Sequence, residues 1–498
     1  MVQNISNRFL SLFFVLSIVS VKAQNIANYS KYRDSLLSSF SSFRSQTLSD
    51  YDIYRNQINA DYVNFLNSAW DNFSQTEASD LPVDTNPVVP PVICDENIKF
   101  NPQPIITITP ETLPEPGPQP SPSVPIDENN EQSTKKLQII LYGTVIYVSS
   151  PDISDIYFRS TQNQHLSDTW RLMADGRMDN CLSDCLSSRK TFNLNDWAYL
   201  CLLQNVGKKL FPFDSNLQVL STAYLYANSG YKMRLGRNRS DLTILFASEN
   251  LIYKIPYFNI DNDYFYPLKD IGSNLEICVA KFPSEQSLSL IINSLPLFTN
   301  NSSILRELKT SKGIVYQSCV NKNIISFYSQ YPSSAINHDP LTRWALTCKA
   351  PLGETTKKVL YPQLKNQLAN QSLYSQVNII LNFVQTAFKY ENDDKIWSED
   401  RALFSDEVLY YPYCDCEDRT CLFTRLVQDI LGLDCAIVYY PGHLAAAVKF
   451  PRSQDIKGDK IKLDGDEYVI CDPTYINSSV GMSMPELKTS EMRAMILK

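Results

Sequence analysis

Apolar residues near the start of the chain recur at helical spacing. No proline or glycine interrupts the pattern between Tyr29 and Phe73. The apolar positions include Tyr51, Tyr54, Ile58, Tyr62, Phe65, Leu66, Ala69, Trp70 and Phe73. This period predicts a long amphipathic helix, or a pair of helices, within a segment placed at residues 24–80. Its apolar face is expected to dock on a later part of the same chain or to mediate self-association through residues 29–73.

The pattern changes abruptly at residue 81, where a proline-rich segment begins and continues to residue 135. Thirteen of the 28 prolines lie between Pro82 and Pro125. Because proline fixes φ and removes a backbone donor, this segment is predicted to be an extended, semi-rigid spacer. Cys94 lies within it, and a disulfide from Cys94 to a neighbouring domain is an open alternative.

Helical and strand patterns alternate over residues 136–270, which predicts an α+β domain. Two helical runs are expected to end near Gly207 and Gly230, and strand-like runs follow the second helix. The same order of helix and strands returns near the C-terminus. One interpretation is therefore a degenerate copy of the C-terminal domain, in which Asp214-Ser215-Asn216 stands where the later copy has a cysteine.

Residues 271–350 contain short β-rich runs separated by proline, serine and asparagine clusters. They predict a small antiparallel sheet or sandwich. His165 and His338 each lie alone in polar sequence, where a surface or capping role is the expectation. This segment carries no chemical signature.

Residues 351–498 contain both helical and strand patterns. Apolar residues from Val377 to Phe388 fall on one helical face, and a second buried helix is predicted from about Cys416 to Gly432. Three short apolar strands follow, with the sequences LDCAIVYY, LAAAVKF and EYVICDPTY. They predict an antiparallel sheet packed on the second helix. The whole chain is therefore predicted to be a multi-domain α+β protein.

Composition limits the function classes. The 498 residues are 44% hydrophobic and 20% charged, which suits roughly three globular domains. The formal net charge of -8 is spread thinly, and no basic face is dense enough to bind nucleic acid. No nucleotide loop, dinucleotide fingerprint or calcium loop is present, so the sequence predicts no cofactor.

The N-terminus predicts export. Arg8 precedes a short apolar run, and Val21-Lys22-Ala23 offers small residues for cleavage. We interpret residues 1–23 as a removed signal peptide, with a buried or anchoring helix as the alternative, so the protein is expected to be secreted or periplasmic. No later run reaches about 18 apolar residues, so no membrane span is expected after signal removal.

Three residues in the C-terminal part form a candidate for covalent catalysis. Cys416 is predicted at a helix N-terminus, where free amides and the helix dipole are expected to lower a thiol pKa. His443 is expected at the start of a strand and Asp472 at the end of another. Asp472 would fix the tautomer of His443 and leave the other ring nitrogen for Cys416.

At these residues the chain resembles the transglutaminase-like branch of the papain-like fold. The strings CDCED, YPGHLAAAV and VICDPTY match the cysteine, histidine and aspartate motifs of that family over about residues 351–480. Asp418 matches the acidic residue two positions after the nucleophile. Three departures are that Cys414 replaces the usual glycine, that the helix is about one residue longer, and that no tryptophan follows the histidine. The resemblance implies a Cys-His-Asp triad and a thioester intermediate.

Other roles for these cysteines remain open in the sequence. Cys414, Cys416, Cys421 and His443 could bind zinc, although their spacing does not suit a zinc finger. A structural disulfide could also use Cys416. More natural disulfide pairs are Cys414 with Cys421 and Cys435 with Cys471.

The leading hypothesis is an exported peptidase or amidase that acts through Cys416, His443 and Asp472 on a peptide, a protein or a cell-wall peptide. The alternative hypothesis is a catalytically inert cell-envelope scaffold or interaction protein. The long helix, the proline-rich spacer and the large share of chain without chemistry favour this alternative.

Overall fold

The computed structural model describes residues 26–68, 70–81, 91–94, 103–115, 117–122, 135–485 and 487–497. The predicted signal peptide, residues 1–23, lies outside this part of the chain. Within the described residues, no helix has the length and apolar character needed to cross a membrane.

Helices and strands alternate along the chain, which confirms the α+β class. In chain order the helices are α1 (Ile26–Leu66), α2 (Asn163–Met173), α3 (Asp179–Thr191), α4 (Asp196–Leu210), α5 (Ser215–Asn228), α6 (Lys322–Tyr328), α7 (Pro340–Lys349), α8 (Glu354–Leu368), α9 (Leu373–Thr386), α10 (Asp393–Ile396), α11 (Ser405–Tyr410) and α12 (Cys416–Leu431). The strands are β1 (Asp71–Ser74), β2 (Ile106–Ile108), β3 (Glu111–Thr112), β4 (Lys136–Leu141), β5 (Thr144–Ser149), β6 (Met233–Asn238), β7 (Asp241–Ser248), β8 (Leu251–Ile252), β9 (Phe258–Ile260), β10 (Asp263–Pro267), β11 (Asn274–Cys278), β12 (Arg306–Lys309), β13 (Val315–Ser318), β14 (Ser334–Ala335), β15 (Lys389–Tyr390), β16 (Tyr413–Cys414), β17 (Cys435–Tyr440), β18 (His443–Val448), β19 (Lys460–Leu463), β20 (Asp466–Cys471) and β21 (Arg493–Leu497).

α1 is a single helix over most of the segment for which one or two helices were predicted. Its last turns bury Ile58, Tyr62 and Leu66. The chain then enters β1, so Phe73 belongs to a strand and not to the helical stripe. The part of α1 up to Arg55 belongs to one compact unit, and residues 56–123 and 127–498 form another. Self-association through this helix stays a prediction.

An antiparallel sheet with the strand order β1-β11-β6-β7-β10-β9 lies in the first half of the second unit. α5 packs on β7, and α4 packs on α5. α4 continues past Gly207 to Leu210, because this glycine serves close packing and not termination. A Cβ placed on Gly207 would lie 2.6 Å from Thr222 Oγ1 on α5. α5 ends as predicted, two residues before Gly230, whose φ is 94°.

Residues 271–350, predicted to be a small β-rich domain, contain one antiparallel sheet of their own, which has the two strands β12 and β13. β11 joins the first sheet, the β12–β13 hairpin packs on α8, and α6 and α7 are helices. The strand pattern of this segment did not predict α7. In the structure Asp339 Oδ1 accepts the Leu341 amide at 3.0 Å and caps the helix, which Pro340 begins.

A second sheet carries the candidate site and has the strand order β2-β19-β20-β18-β17-β21-β3. The three predicted strands form its centre, since β18 pairs antiparallel with both β17 and β20. α12 packs against β17 and β18. The site therefore lies where one helix covers the middle strands of a sheet.

The proline-rich segment contributes both outer strands of this sheet. β2 pairs in parallel with β19, and β3 pairs in parallel with β21. Cys94 is buried beside Tyr475 and Met484 and forms no disulfide, so its alternative role does not hold. Two short stretches of this segment are therefore strands attached to the C-terminal sheet.

α12 follows directly from its sequence pattern. Leu422, Phe423, Leu426 and Val427 are fully buried, and each such side chain stabilises the fold by about 1.5–3 kcal/mol. Gly432 follows the helix with a φ of 66°, the left-handed conformation that commonly ends helices. The predicted boundaries of this helix are confirmed.

A disulfide between Cys348 and Cys421 joins α7 to α12 across a sequence separation of 73 residues. Closing a loop of this length is expected to stabilise the fold by about 4 kcal/mol. We expect the double variant Cys348→Ala, Cys421→Ala to lose that much free energy of unfolding, measured with urea under non-reducing conditions. A reducing agent should lower the stability of the native chain and leave that of the variant unchanged. Equal sensitivity of both proteins would contradict the bond.

Stability is also expected to depend on Asp406, on α11. This buried carboxyl accepts hydrogen bonds from the Gly353 amide, at 2.8 Å, and from the Thr356 hydroxyl. Burial raises the pKa of Asp406 from 3.8 to about 6. The folded state thus holds this proton more tightly than the unfolded chain does.

The contribution of Asp406 to the free energy of unfolding is therefore complete below about pH 4, and it falls as the pH rises through about 6. The total loss is about 3 kcal/mol. Between pH 5 and pH 8 we expect the native chain to lose about 1–2 kcal/mol of unfolding free energy that Asp406→Asn retains. Urea unfolding of both proteins at the two pH values measures this difference. Parallel pH profiles for the two proteins would show that this carboxyl does not carry the dependence.

Candidate active site

The first turn of α12 positions Cys416. This thiol is the first helical residue and is 2% exposed. Thr420, one turn later, donates its hydroxyl to the Leu444 carbonyl on β18 at 3.1 Å. This bond holds the cysteine end of α12 beside the strand that begins with His443.

His443 and Asp472 form a buried pair on the neighbouring strands β18 and β20. The His443 Nε2–H donates to Asp472 Oδ2 at 2.9 Å, and both side chains are fully inaccessible. The other carboxylate oxygen, Oδ1, accepts the amides of Thr474 at 2.9 Å and Tyr475 at 3.2 Å. Asp472 is thus oriented by three donors, and it directly follows β20 as predicted.

The remaining ring nitrogen of His443 is unoccupied. Nδ1 is buried and has no hydrogen-bond partner among the described residues. Because Nε2 carries the proton donated to Asp472, Nδ1 carries a lone pair. The ring is therefore in the tautomer that a general base for a thiol requires.

The electrostatics around Cys416 differ from the prediction. Its thiol donates to Glu417 Oε2 at 3.3 Å. Burial raises the pKa of Cys416 well above its ordinary value, and the charges of Glu417 and Asp415 raise it further. The helix N-terminus was expected to lower this pKa. That expectation was wrong, because burial of the thiol, reinforced by the carboxylates of Glu417 and Asp415, outweighs the effect of the helix amides.

Gln385, on α9, is a site residue that the sequence did not reveal. Its Nε2 donates to the backbone carbonyls of Tyr475 at 2.8 Å and Asp472 at 3.1 Å. Arg419 of α12 in turn donates to the Gln385 carbonyl at 3.2 Å. These bonds connect α9, α12 and the turn after β20. Helical periodicity marked only its apolar neighbours, and a lone glutamine in a helix gives no signal.

The alternative roles for the cysteines do not hold in the structure. Cys416 is free, and Cys421 pairs with Cys348 instead of Cys414. Cys414 points its thiol to the Lys389 carbonyl at 3.9 Å. Among the described residues, the groups close enough to share one ion contain none of the four proposed zinc ligands, Cys414, Cys416, Cys421 and His443.

The second predicted disulfide is also wrong. Cys435 and Cys471 are both free and buried. They lie on β17 and β20, and β18 runs between these strands. The predicted pair requires Cys435 and Cys471 to lie on neighbouring strands, whereas the sheet order places β18 between the strands that carry them.

Asp418 holds the backbone around the cysteine. Its Oδ1 accepts the Leu403 amide at 2.7 Å, and its Oδ2 accepts the Asp415 amide at 3.2 Å. The acidic residue two positions after the cysteine thus ties the start of α12 to the segment before α11.

Residues 136–270, one interpretation of which is a degenerate copy of the C-terminal domain, contain a helix followed by antiparallel strands, as that domain does. α5 is followed by the antiparallel pair β6 and β7, as α12 is followed by β17 and β18. Asp214 caps α5 by accepting the amides of Asn216 at 3.0 Å and Leu217 at 2.9 Å. Ser215 occupies the first helical position, where α12 has Cys416. The internal repeat stays a prediction.

Comparison with protein-family models, with curated proteins and with solved structures finds no match. The resemblance to transglutaminase-like proteins therefore rests on Cys416, His443 and Asp472 and on the order of the elements that carry them.

Proposed function

We propose that this chain is an exported, transglutaminase-like cysteine enzyme that cleaves or transfers the amide bonds of peptides or proteins. The observation that carries the proposal is the buried His443–Asp472 pair, with Nδ1 unoccupied, on the strand beside Cys416. A buried polar pair of this kind adds little to stability, which favours a functional role such as proton transfer.

The reaction begins when Cys416 Sγ attacks the carbonyl carbon of the amide and His443 Nδ1 takes the thiol proton. The carbonyl electron pair moves to oxygen, and backbone amides at the start of α12 stabilise the negative charge. When the intermediate collapses, the carbon–nitrogen bond breaks and Nδ1–H protonates the departing amine. A thioester on Cys416 remains.

A second acceptor then resolves the thioester. Water or a primary amine, deprotonated by His443, attacks the thioester carbonyl and gives an acid or a new amide, respectively. In both cases the carbon–sulfur bond breaks, and the Cys416 thiolate takes back the proton from His443. Asp472 stabilises the imidazolium that forms in both halves of the reaction and keeps the ring in its orientation. Both outcomes use the same side chains.

Substrate access requires an opening of the site. Cys416 and His443 are each 2% exposed, so the described conformation is closed. Displacing Glu417 from the thiol is part of this opening, because the thiol donates to this carboxylate the proton that His443 must receive.

A second candidate is the inert cell-envelope scaffold. The observation that favours it is the same buried thiol, whose raised pKa keeps it protonated and weakly nucleophilic. In this case the polar pair serves only to orient the turn after β20.

A trapping experiment separates the two candidates. The purified chain is incubated with amide-containing peptides and cell-wall fragments, with and without a fluorescent primary amine, and analysed by mass spectrometry. The enzyme hypothesis expects an acyl adduct on Cys416 that hydroxylamine removes, and turnover of at least one substrate. Cys435→Ala is the matched control, since this thiol is also buried and free. Absence of any adduct across the panel would favour the scaffold.

A further inference from the structure

A cavity of about 620 Å³ lies in the first half of the second unit. Its walls come from the start of α4, from the residues that flank β6 and β7, from residues 286–294 and from residues 117–120 of the proline-rich segment. Ligand pockets of proteins measure about 300–1,000 Å³, so this cavity has room for a small molecule. Neither Cys416 nor His443 lines it, and the proposed reaction leaves it unused.

The lining of this cavity is mainly polar and mostly neutral. Half of the lining residues are asparagine, glutamine or serine, and three are charged, namely Asp196, Lys232 and Glu249. Lys232 also pairs with Asp263 at 2.9 Å. Side-chain amides and hydroxyls offer both donors and acceptors, whereas carboxylates only accept hydrogen bonds. Such a surface suits a ligand whose groups can each donate and accept.

Asp196 is held in one orientation by its neighbours. It is the first residue of α4 and is 4% exposed. Its Oδ1 accepts the Tyr231 hydroxyl at 2.8 Å, and its Oδ2 accepts the Ser289 amide at 3.0 Å. Gln119 Nε2 also donates to Oδ1, at 3.3 Å. These three donors use three of the roughly four lone-pair sites of a carboxylate, so one is left for a ligand.

Glu249 is the second carboxylate of the cavity and lies close to the first. Partial burial and, after it, the charge of Asp196 raise the pKa of Glu249, whose carboxylate also accepts the Ser289 hydroxyl. Ser289 thus binds both carboxylates, one through its amide and one through its hydroxyl. The positive charges of Arg189 and Lys232 act on Asp196 and Glu249, respectively. They offset the two carboxylates, which favours a neutral ligand over a cation.

The wall formed by the proline-rich segment is attached to the rest of the cavity. Gln119 Nε2 donates to the Leu194 carbonyl at 3.0 Å. Ser121 lies against Gly230, where an added Cβ would be 2.1 Å from the Ser121 carbonyl oxygen. The Gln286 amide donates to the Gly230 carbonyl at 2.9 Å. Because these bonds fix the walls, the polar groups of the cavity are positioned before a ligand arrives.

We propose that this cavity binds a neutral saccharide of a few sugar units. Ring hydroxyls donate to Asp196 and Glu249 and accept from the side-chain amides of the lining. The buried side chains of Leu194 and Ile291 offer apolar contact to the C–H faces of the rings. A site built to bind hydroxyls rejects ligands without them, because its own polar groups would then lack partners.

The test measures binding, so its outcome is separate from that of the proposed function. The full chain is applied to an array of short, neutral fragments of starch, cellulose and N-acetylated chitin, and the strongest ligand is titrated by calorimetry. Deacetylated chitin fragments, which carry amines, and peptides of similar mass are the comparison ligands. We expect saturable binding of at least one neutral saccharide. Absence of saturable binding across the array would overturn the proposal, as would tighter binding of the amines or the peptides.

Matched variants locate the site. Glu249→Gln and Asp196→Asn are expected to weaken saccharide binding at least about tenfold, because each loses a hydrogen bond to a charged group. Glu307→Gln makes the same change on an exposed residue of β12 outside the cavity and should bind as the native chain does. If Asp196→Asn does not fold, the comparison of Glu249→Gln with Glu307→Gln decides. Equal affinities for those two variants would place the saccharide elsewhere and overturn the proposal.

Discussion

Cys416→Ala is expected to lower the turnover of an amide substrate by about 10⁴-fold or more. Removing the nucleophile from a cooperating triad eliminates the covalent route and leaves only the stabilisation that binding supplies. The measurement is kcat/KM on whichever substrate of the trapping panel the native chain turns over. No other group in the proposed reaction can form the thioester.

The same substitution should barely affect the fold. The Cys416 thiol donates a hydrogen bond to Glu417 and accepts one from the Leu444 backbone, and its loss removes a single sulfur atom from the core. We expect a change of about 1 kcal/mol or less in the free energy of unfolding, which is typical of small core truncations. Cys435→Ala removes an equally buried thiol on β17 and should retain full turnover. Residual activity of Cys416→Ala above a few per cent would assign the nucleophile elsewhere.

The sequence predicted the elements of the site well because each has a local signal. α12 was located by its apolar spacing and by Gly432, and its central strands by short apolar runs ending at turn residues. Asp472 was placed at the end of a strand because Pro473 cannot continue one. Such signals are properties of neighbouring residues, so no tertiary information was needed.

The electrostatics of the site could not be predicted in this way. Whether Cys416 is activated or suppressed depends on which charges lie near it in space. Glu417 and Asp415 were visible in the sequence, but the burial of the Cys416 thiol was not, and that burial is the largest cause of its raised pKa. Asp393 and Asp400 reach the same region from a polar loop that no pattern connected with α12.

The cysteine pairing and the edge strands of the second sheet could not be predicted for a related reason. Cys348 was not among the predicted partners, since only the packing of α7 on α12 brings it to Cys421. β2 and β3 are two or three residues long and are surrounded by prolines, so their pairing depends on the exposed edges of β19 and β21. Short segments of this kind have no periodicity of their own.

Asp472→Asn is expected to lower kcat/KM by about 10³–10⁴-fold while preserving the fold. Asp472 Oδ1 accepts two backbone amides, those of Thr474 and Tyr475. The single oxygen of an asparagine must remain there, because an amide nitrogen would face two donors. Its NH₂ group then points at His443 Nε2 and forces that nitrogen to accept a hydrogen bond.

The His443 ring would consequently carry its proton on Nδ1, the nitrogen that must receive the proton of Cys416. A wrong tautomer of this kind costs about 10⁴-fold in serine proteases with the equivalent change. Nitrogen NMR can test the cause directly, since the chain has three histidines to assign. Asp472→Ala is the contrasting variant, because it leaves the ring and both amides without a buried partner and should lower stability by about 3–5 kcal/mol. Native turnover in Asp472→Asn, or an unchanged His443 tautomer, would show that this carboxylate does not orient the base.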